Sequence, residues 1–382
     1  MRRICALFMH ARRSPRRLAR KQGDVVMRKM VVVVLSAFLG GMAMGDTAAL
    51  TAAKKAKKDE FYTQRVDIEN ELRHYKAHFK DKVVLCNCDD PRQSEFFKYF
   101  AESFEHLGLK RLIATCYKSQ DVDLFSQKNS ERAIMQVYDG DKNGNMVVDD
   151  DEVGVFELKG DGDFRSPECI EILKGADIVV TNPPFSLFRE YVAQLMKYKK
   201  GFLIIGNVTA MTHSELFSYV RDNRIWMGAS IHSGDRKFGV PNDYPLNAAG
   251  CGVDENGQRF IRVKGVRWFT NLDYPQRHEK LPLYKKYTPD EYPKYDNYDA
   301  INVDKTADIP YDYEGVMGVP ITFLDKYNPE QFELVGIGRG ELGRSIGVKK
   351  NARGRTDLQL TVNGKPTWPF QRILIRRRRT AQ

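Results

Sequence analysis

Short apolar runs alternate with longer amphipathic stretches along residues 60–225. Four runs of hydrophobic and β-branched residues predict strands at 82–87, 111–117, 176–181 and 201–206. Apolar positions with helical spacing predict helices beside them, at 66–79, 94–106, 187–198 and 214–222. Strands that alternate with helices in this way predict an α/β fold with a parallel sheet covered on both faces. In such a sheet, ligands bind at the carboxyl edge of the strands.

Two further strands are predicted around Asn143-Gly144, a dipeptide that favours tight turns. Residues 131–138 and 146–158 flank it and together predict a β-hairpin. The segment from Asp139 to Asn145 also matches the first half of an EF-hand calcium loop. However, Asp150 stands at the twelfth position, where that loop carries a glutamate, and the flanks are strand-like. The pattern therefore favours a polar hairpin over a calcium site, and no metal is expected.

The composition of the chain changes after Arg224. Residues 230–315 are rich in Tyr, Pro, Asp, Asn and Lys and contain few long apolar runs, with short strands predicted at 260–263 and 266–270. This indicates a loop-rich insertion or a second small domain attached to the α/β core. A last strand is predicted at 372–375, directly before a basic tail.

The N-terminal segment carries most of the net charge. The 382-residue chain has a net charge of +11, and ten Lys and Arg against two Asp place +8 of it in residues 1–46. The apolar run at 30–45 resembles a signal peptide, but later methionines favour an upstream extension from a misassigned start. Both alternatives exclude this segment from the fold. We therefore expect an N-terminal extension at 1–46, an α/β core at 47–228, and a loop-rich and C-terminal region at 229–382.

The rest of the chain is only mildly basic, so charge alone is a weak argument for a nucleic-acid partner. The six cysteines lack the paired spacing of a zinc site or a disulfide framework, which favours buried free thiols and a reducing compartment. Several basic residues after Arg221 are candidates for phosphate and base contacts, although each alone is typical of a solvated surface charge. They are Arg236, Lys237, Arg262, Lys264, Arg267, Arg277, Lys285, Lys286, Arg344, Lys349, Lys350, Arg353 and Arg355.

The sharpest chemical feature is the loop Asn182-Pro183-Pro184-Phe185, which follows the predicted strand at 176–181 and opens a helix. An exocyclic amine is a poor nucleophile because its lone pair is delocalised into the ring. Acceptors on the Asn182 side chain and the Pro183 carbonyl could hold its two hydrogens, in a loop that the prolines make rigid. Phe185 offers a face on which a flipped base could stack. The alternative is an ordinary β-to-α turn with a capping Asn and a Pro in the first helical turn.

This loop and its surroundings resemble the EcoRI-type adenine-specific DNA methyltransferases. The resemblance is carried, in order, by Lys54–Gln64, by residues 82–100 with Cys86-Asn87-Cys88-Asp89-Asp90-Pro91, by Gly160-Asp161-Gly162-Asp163-Phe164-Arg165-Ser166, by the catalytic loop with Ser186-Leu187-Phe188-Arg189-Glu190, by Trp268-Phe269-Thr270-Asn271-Leu272, by Tyr295-Asp296-Asn297-Tyr298, and by Gly318-Val319-Pro320-Ile321-Thr322-Phe323. It spans essentially residues 50–375.

The resemblance implies a Rossmann-like, S-adenosylmethionine-dependent methyltransferase sheet with a loop-rich DNA-recognition insertion. It implies transfer of a methyl group to N6 of a flipped adenine, with double-stranded DNA as the partner, no membrane, and a cytoplasmic location. A restriction-modification system and an orphan modification system would both fit, so the presence of a cognate restriction endonuclease stays open. The oligomeric state also stays open, a monomer included. The catalytic residues are expected at Asn182, Pro183, Pro184 and Phe185.

The resemblance also implies a cofactor site built from several separate segments. The expected residues are Phe61, Tyr62, Thr63, Asn87, Cys88, Asp89, Asp90, Tyr117 and Asp163. The chain departs from most methyltransferases at 87–90, where those enzymes place a glycine-rich turn, so contacts are expected from side chains instead. A helix cap remains an alternative for Asp89-Asp90, core burial for Tyr117, and a solvated turn for Asp163.

Two alternative functions remain on the residues alone. Amino-methyltransferases that act on RNA or on a protein glutamine also use Asn-Pro-Pro-aromatic loops, because an amide nitrogen poses the same chemical problem. A catalytically inactive DNA-binding relative would account for the missing glycines. A cytosine ring-carbon methyltransferase is disfavoured, because the chain contains no Pro-Cys nucleophile motif.

Overall fold

The computed structural model describes residues 61–117, 133–232, 234–240, 244, 246–247 and 250–378. The N-terminal extension and the lead-in before Phe61 lie outside the described residues. The α-helices are α1 Arg65–Leu72, α2 Lys76–Phe79, α3 Glu95–Glu102, α4 Phe104–Leu107, α5 Pro167–Gly175, α6 Phe188–Lys197, α7 Ser214–Arg221 and α8 Gly340–Ser345. Short 3₁₀ helices occur at Val208–Thr212, Pro275–His278, Thr306–Asp308 and Ile321–Lys326.

The central element is an eight-stranded sheet in the order β4-β3-β2-β1-β5-β6-β11-β7. Its strands are β1 Val83–Asn87, β2 Arg111–Thr115, β3 Ile134–Tyr138, β4 Val153–Glu157, β5 Ile178–Thr181, β6 Gly201–Asn207, β7 Trp226–Met227 and β11 Val266–Thr270. The remaining strands are β8 Asp235–Gly239, β9 Cys251–Val253, β10 Arg259–Lys264, β12 Ile301–Asn302, β13 Met317–Pro320, β14 Phe332–Ile337, β15 Leu360–Val362, β16 Lys365–Thr367 and β17 Arg372–Arg377.

The central sheet is mixed, which corrects the expectation of a parallel sheet. Strands β2, β1, β5 and β6 are parallel neighbours, and all four were predicted from the apolar runs. The β3–β4 pair extends the sheet in antiparallel fashion beyond β2, while β11 and β7 do so beyond β6. Antiparallel additions of this kind are common at the edges of α/β sheets. The sheet thus takes β11 from a part of the chain that lies well beyond residue 228.

The β3–β4 hairpin forms, but its connection is long. The last paired residues are Tyr138 and Val153, so the connection covers residues 139–152 rather than a two-residue Asn-Gly turn. The carboxylate of Asp141 folds this connection on itself, because it accepts hydrogen bonds from the backbone N–H groups of Gly144 (2.6 Å) and Met146 (2.7 Å). Among the described residues, no group of three or more His, Cys, Asp or Glu is arranged to hold a metal ion.

Burial explains why the predicted elements form where they do. All four residues of β5 are buried, as expected for a strand covered on both faces. Helix α3 begins at its N-cap Ser94, whose hydroxyl accepts from the backbone N–H of Phe96 (3.3 Å), and it buries one aromatic face. Helix α5 was not predicted, although Ser166 caps it and Pro167 occupies its first turn. The start signal Ser166-Pro167 was present in the sequence but was not interpreted as the beginning of a helix.

The region after Arg224 contains more regular structure than its composition indicates. A three-stranded sheet has the order β8-β10-β9, and a four-stranded sheet has the order β12-β13-β17-β14. Strands β10, β11 and β17 were predicted. The others were missed, and six of them have only two to four residues, whereas β8 and β14 were missed although they have five and six. Within the described residues, no helix is long and apolar enough to cross a membrane.

Arg267 is buried, so for this residue the interpretation as a surface group or a DNA contact is wrong. Its guanidinium forms a buried bidentate ion pair with Asp325, at 2.6 Å from Nε to Oδ1 and 2.9 Å from Nη2 to Oδ2. Each of the two side chains is only 3% exposed. The remaining N–H groups of Arg267 donate to backbone carbonyls of Val266 and His232. Arg267 therefore ties β11 to the 3₁₀ helix Ile321–Lys326, and it is too buried to reach a phosphate.

Candidate active site

The predicted catalytic loop and the predicted cofactor loop meet at one edge of the central sheet. Asn87 ends β1 and Thr181 ends β5, and these two parallel strands are neighbours. From β1 the chain continues to β2 on one side, whereas β5 continues to β6 on the other. The loops after β1 and β5 therefore diverge, which opens a crevice at their carboxyl ends. Ligands in open α/β sheets bind at such a position.

Two buried hydroxyl groups hold the end of β1 against its neighbours. Thr181 donates a hydrogen bond to the backbone carbonyl of Asn87, and Tyr191 on α6 donates one to the Oδ1 atom of Asn87. Burial raises the pKa of the Tyr191 hydroxyl well above its usual value, so the group stays protonated and acts as a donor. This clamp fixes both the backbone and the side chain of Asn87 beside the catalytic loop. Cys88 follows with φ of 83°, a positive value that non-glycine residues rarely adopt.

Asn182 is the most informative residue of the catalytic loop. Its side chain is 6% exposed, and its Nδ2 group donates to the backbone carbonyl of Phe61 at 2.6 Å. Its Oδ1 atom is buried and has no hydrogen-bond partner among the described residues. A buried acceptor without a partner costs about 1–3 kcal/mol. Oδ1 is therefore available to accept a hydrogen bond from a ligand or from water at this edge of the sheet.

The other catalytic-loop residues build a compact turn beside an aromatic cluster. Pro183 is buried and Pro184 is half-buried, and the Pro184 carbonyl accepts from the N–H of Leu187 at 2.9 Å. The half-buried ring of Phe185 packs edge-to-face on Phe61, with centroids 5.8 Å apart, and on Phe238, at 6.4 Å. The loop is thus more than a helix-start turn, because its side chains contact parts of the chain far away in sequence.

Residues 61–63 form an extended segment that joins the small β8-β10-β9 sheet. The N–H of Tyr62 donates to the carbonyl of Gly239, and the N–H of Gly239 donates to the carbonyl of Tyr62, both at 2.9 Å. The ring of Phe61 packs against Phe238 and Tyr244, at centroid distances of 5.9 Å and 6.3 Å. Thr63 is 3% exposed, and its Oγ1 atom has no hydrogen-bond partner among the described residues. This second buried polar atom lies two residues beyond the carbonyl that binds Asn182.

The two carboxylates after β1 have different surroundings. Asp89 is buried and accepts a weak hydrogen bond of 3.4 Å from the Ser94 hydroxyl. Asp90 is bound by Arg92 through Nε (3.1 Å) and Nη2 (2.8 Å). Neither acts as the N-cap of α3, since Ser94 has that role. Asp90 instead caps the turn before α3, because its Oδ1 also accepts from the backbone N–H of Arg92 at 3.0 Å, so the capping alternative holds for Asp90 at that turn but not at α3 itself.

The segment around Asp163 lies against the end of β2. Gly162 has φ of 79°, and a β-carbon there would lie 2.1 Å from the carbonyl oxygen of Cys116. Tyr117, half-buried, is the next residue along the chain. Hydrogen bonds from Arg165 lower the pKa of Asp163, so its carboxylate stays ionised at neutral pH. The fold therefore brings the Asp163 segment and Tyr117 to the same edge of the sheet.

Comparison with known sequences identifies the family. The sequence profile of the family described as adenine-specific methyltransferase EcoRI matches residues 49–378. The chain is 52% identical to the Type II methyltransferase M.EcoRI of Escherichia coli over 332 residues, which are 86% of this chain and 96% of that protein. The chain belongs to the EcoRI family of adenine-specific DNA methyltransferases.

Two further relatives extend this family. The Type II methyltransferase M.MgeORF184P of Mycoplasma genitalium is 39% identical over 332 residues, covering 85% of this methyltransferase and 97% of the relative. M.MpnI of Mycoplasma pneumoniae is 38% identical over 330 residues, covering 85% and 97% of the two chains. No solved structure matches this methyltransferase. Membership of the family confirms adenine methylation and disfavours RNA or a protein glutamine as the substrate.

Sequence reasoning missed four groups that take part in this site. Phe238 and Tyr244 belong to the aromatic cluster but lie in the loop-rich region, where no pattern connects them to the catalytic loop. The Phe61 carbonyl, which binds Asn182, is a backbone group and leaves no signature in the sequence. Tyr191 stood inside a correctly predicted helix, but its buried hydroxyl could not be assigned a partner from periodicity.

Proposed function

We propose that Asn182 is the catalytic acceptor that holds the N6 amine of an adenine flipped out of double-stranded DNA. The proposal is supported chiefly by the buried, unpartnered Oδ1 atom of Asn182 at the edge of the sheet. Oδ1 accepts one amine hydrogen and the Pro183 carbonyl accepts the other. These contacts favour a pyramidal nitrogen whose lone pair is available for transfer. Phe185 provides an aromatic surface against which the flipped base stacks.

The methyl donor that we propose is S-adenosylmethionine, bound to a Rossmann-like sheet. It supplies a methyl group bonded to a positively charged sulfur atom. The residues at the crevice fit such a ligand, since Thr63 Oγ1 is buried without a partner among the described residues and Asp89 is an acidic neighbour. Asp90 and Asp163 are each held by an arginine, but a carboxylate has about four acceptor positions. Both can therefore still accept from ribose hydroxyls or an adenine amine.

We propose that the cofactor residues come from two parts of the fold. Phe61, Tyr62 and Thr63 form one group next to the Asn182–Phe185 loop, because the Phe61 carbonyl accepts from Asn182. The remaining residues follow the ends of β1 and β2 or lie against them, and they are Asn87, Cys88, Asp89, Asp90, Tyr117 and Asp163. We propose that the catalytic core and the recognition region divide near residue 228, apart from β11. Double-stranded DNA and the methyl donor are both cytoplasmic, so we propose that location for the enzyme.

A comparison of wild type with Asn182→Ala tests this mechanism. Loss of one preorganised transition-state contact lowers rates by about 100- to 1000-fold. We therefore expect the variant to lose methyl transfer to duplex DNA by about that factor, while calorimetry shows retained affinity for S-adenosylmethionine. Unchanged transfer would remove Asn182 from this role. A wild-type protein that binds DNA but methylates no site would instead indicate an inactive relative.

The recognition sequence can be measured directly. Long-read sequencing of DNA from a host that expresses the gene reports N6-methyladenine at each position. We expect methylation at one short motif, with none in a host that expresses the Asn182→Ala variant. Methylated cytosine, or the same pattern with the variant, would contradict the proposal. Whether a restriction endonuclease accompanies the enzyme is tested by cleavage of unmethylated DNA in extracts of the native host.

A further inference from the structure

The Asn182 amide can perform its proposed role in only one of two orientations. Its two ends have nearly the same size, but Oδ1 accepts hydrogen bonds whereas Nδ2 donates them. An adenine amine needs an acceptor. If the amide were reversed, Nδ2 would face the amine and two groups of N–H donors would oppose each other. Some group in the fold must therefore select the productive orientation before the base arrives.

The carbonyl of Phe61 is placed to make that selection. It lies 2.6 Å from Nδ2 of Asn182, in a buried setting. A carbonyl oxygen can only accept, so it stabilises the orientation with Nδ2 towards it and destabilises the reverse one. In a buried site the preference is strong, because an oxygen placed against this carbonyl would leave two acceptors without a donor. The opposite end of the amide, Oδ1, then points away from Phe61.

The position of the Phe61 carbonyl depends in turn on the small β8-β10-β9 sheet. Tyr62, the next residue, exchanges two backbone hydrogen bonds with Gly239 of β8. Gly239 stands opposite Phe260 of β10, so this bridge attaches residues 61–63 to the edge of the small sheet. The ring of Phe61 contacts Phe238, the neighbour of Gly239 on β8. Backbone and ring thus fasten the carbonyl to the same strand.

We infer that residues 61–63 are a positioning segment, which selects the orientation of the Asn182 amide and links the catalytic loop to the small sheet. This inference rests on the proposed role of Asn182. It assigns a function to the Phe61 carbonyl that is separate from cofactor binding. It also explains why an extended segment from the start of the described chain crosses to β8. Through this segment, the orientation of the Asn182 amide depends on the position of the β8-β10-β9 sheet relative to the catalytic loop.

The first test replaces Asn182 with aspartate and follows pH. An ionised carboxylate has no hydrogen to donate to the Phe61 carbonyl, whereas a protonated carboxyl donates through one oxygen and accepts the amine with the other. The protonated fraction falls about tenfold per pH unit above the pKa. We therefore expect the methylation rate of Asn182→Asp, divided by that of wild type, to fall about tenfold per unit as pH rises from about 6.5 to 8.5. The ratio cancels groups that titrate in both proteins.

A ratio that rises with pH would overturn the inference, because the ionised carboxylate would then work as the acceptor without help from Phe61. The proposed role of Asn182 is judged separately, by the Asn182→Ala variant at one pH. Loss of activity in that variant together with a ratio that rises with pH would keep the proposed function and discard the positioning segment.

The second test removes the bridge at Gly239 without touching the catalytic loop. Gly239→Pro deletes the N–H that donates to Tyr62, while the adjacent pairs of β8 with β10 keep their hydrogen bonds. Gly239→Ala is the matched control, because it keeps the N–H and its added carbon meets the Tyr62 β-carbon at an ordinary 3.4 Å. We expect the alanine variant to methylate within about threefold of wild type and the proline variant to lose at least about tenfold in single-turnover rate.

A double-mutant cycle shows whether this loss acts through Asn182. If it does, Gly239→Pro lowers the rate in the wild-type background but adds little loss to Asn182→Ala, so the two effects are not additive. Circular dichroism and DNA affinity, measured on the same proteins, report whether the fold and DNA binding persist. Additive losses, or a proline variant as active as the alanine control, would overturn the inference.

Discussion

Replacing Tyr191 with phenylalanine removes one hydroxyl group and leaves the aromatic ring in place. The ring packs edge-to-face on Phe164, with centroids 5.0 Å apart, and this contact survives the change. Asn87 is 8% exposed, and its Oδ1 atom loses the hydrogen-bond donor that the Tyr191 hydroxyl supplies. A buried acceptor without its partner costs about 1–3 kcal/mol. We expect the free energy of unfolding to fall by that amount.

The same substitution should weaken the proposed cofactor site. Asn87 ends β1 at the crevice, and the hydroxyl of Tyr191 holds its side chain in one orientation. Without that hydroxyl the Asn87 side chain can adopt other orientations, so restoring the binding orientation costs free energy. Each 1.4 kcal/mol weakens affinity for the cofactor about tenfold. We expect the dissociation constant for S-adenosylmethionine to rise about tenfold, and the methylation rate at saturating cofactor to stay within about threefold of wild type. Calorimetry gives the first quantity and single-turnover methylation the second.

A matched control shows whether the effects come from loss of the buried hydroxyl or from any replacement of tyrosine by phenylalanine. Tyr284 is 81% exposed, so Tyr284→Phe should change neither stability in urea nor cofactor affinity. A Tyr191→Phe protein that is destabilised but binds the cofactor as tightly as wild type would refute the assignment of Asn87 to the cofactor site. Unchanged stability would refute the clamp itself.

Two further substitutions test how the fold supports the site. Gly162→Ala should weaken cofactor binding, since its added carbon would lie 2.1 Å from the Cys116 carbonyl oxygen. Gly234→Ala is the control, because Gly234 has the same φ of 79° but open space around it, so its substitution carries only a conformational cost of about 1–2 kcal/mol. Equal cofactor affinities in the two variants would count against a role for the Gly162 contact. Arg267→Met leaves the Asp325 carboxylate buried and unpaired, which should lower stability in urea unfolding by about 3–5 kcal/mol. Adding Asp325→Leu should recover most of that loss, and a double variant as unstable as the single one would refute the electrostatic explanation.

The strands that carry the site were predictable because their signals are local. Residues 176–181 contain the β-branched run Ile178-Val179-Val180-Thr181, and the structure has β5 at these four residues, all of them buried. The loop Asn182–Phe185 follows it directly, so its place at the carboxyl edge of a strand required no knowledge of the rest of the fold. The same reasoning placed Asn87 at the end of β1. Parallel neighbours in a sheet then bring these two ends together.

Other features depended on contacts between residues far apart in the chain. The alternation of strands and helices indicated a parallel sheet, yet β3, β4, β7 and β11 join it in antiparallel orientation. Pairing direction is set by how the chain returns to the sheet, and periodicity within a strand carries no information on that. The burial of Arg267 escaped prediction for a similar reason, because its partner Asp325 lies in a separate 3₁₀ helix.

The sequence by itself determined the α/β class, the four parallel strands and the position of the Asn-Pro-Pro-Phe loop, because each follows from a short run of residues. It also carried enough of the family pattern to indicate adenine methylation. Only the tertiary structure decided what surrounds the amide for which we propose the catalytic role. Asn182 and Phe61 are 121 positions apart, and the carbonyl that binds Nδ2 is a backbone group that every residue has. Its role comes from its location alone, and folding sets that location through β8 and the aromatic cluster.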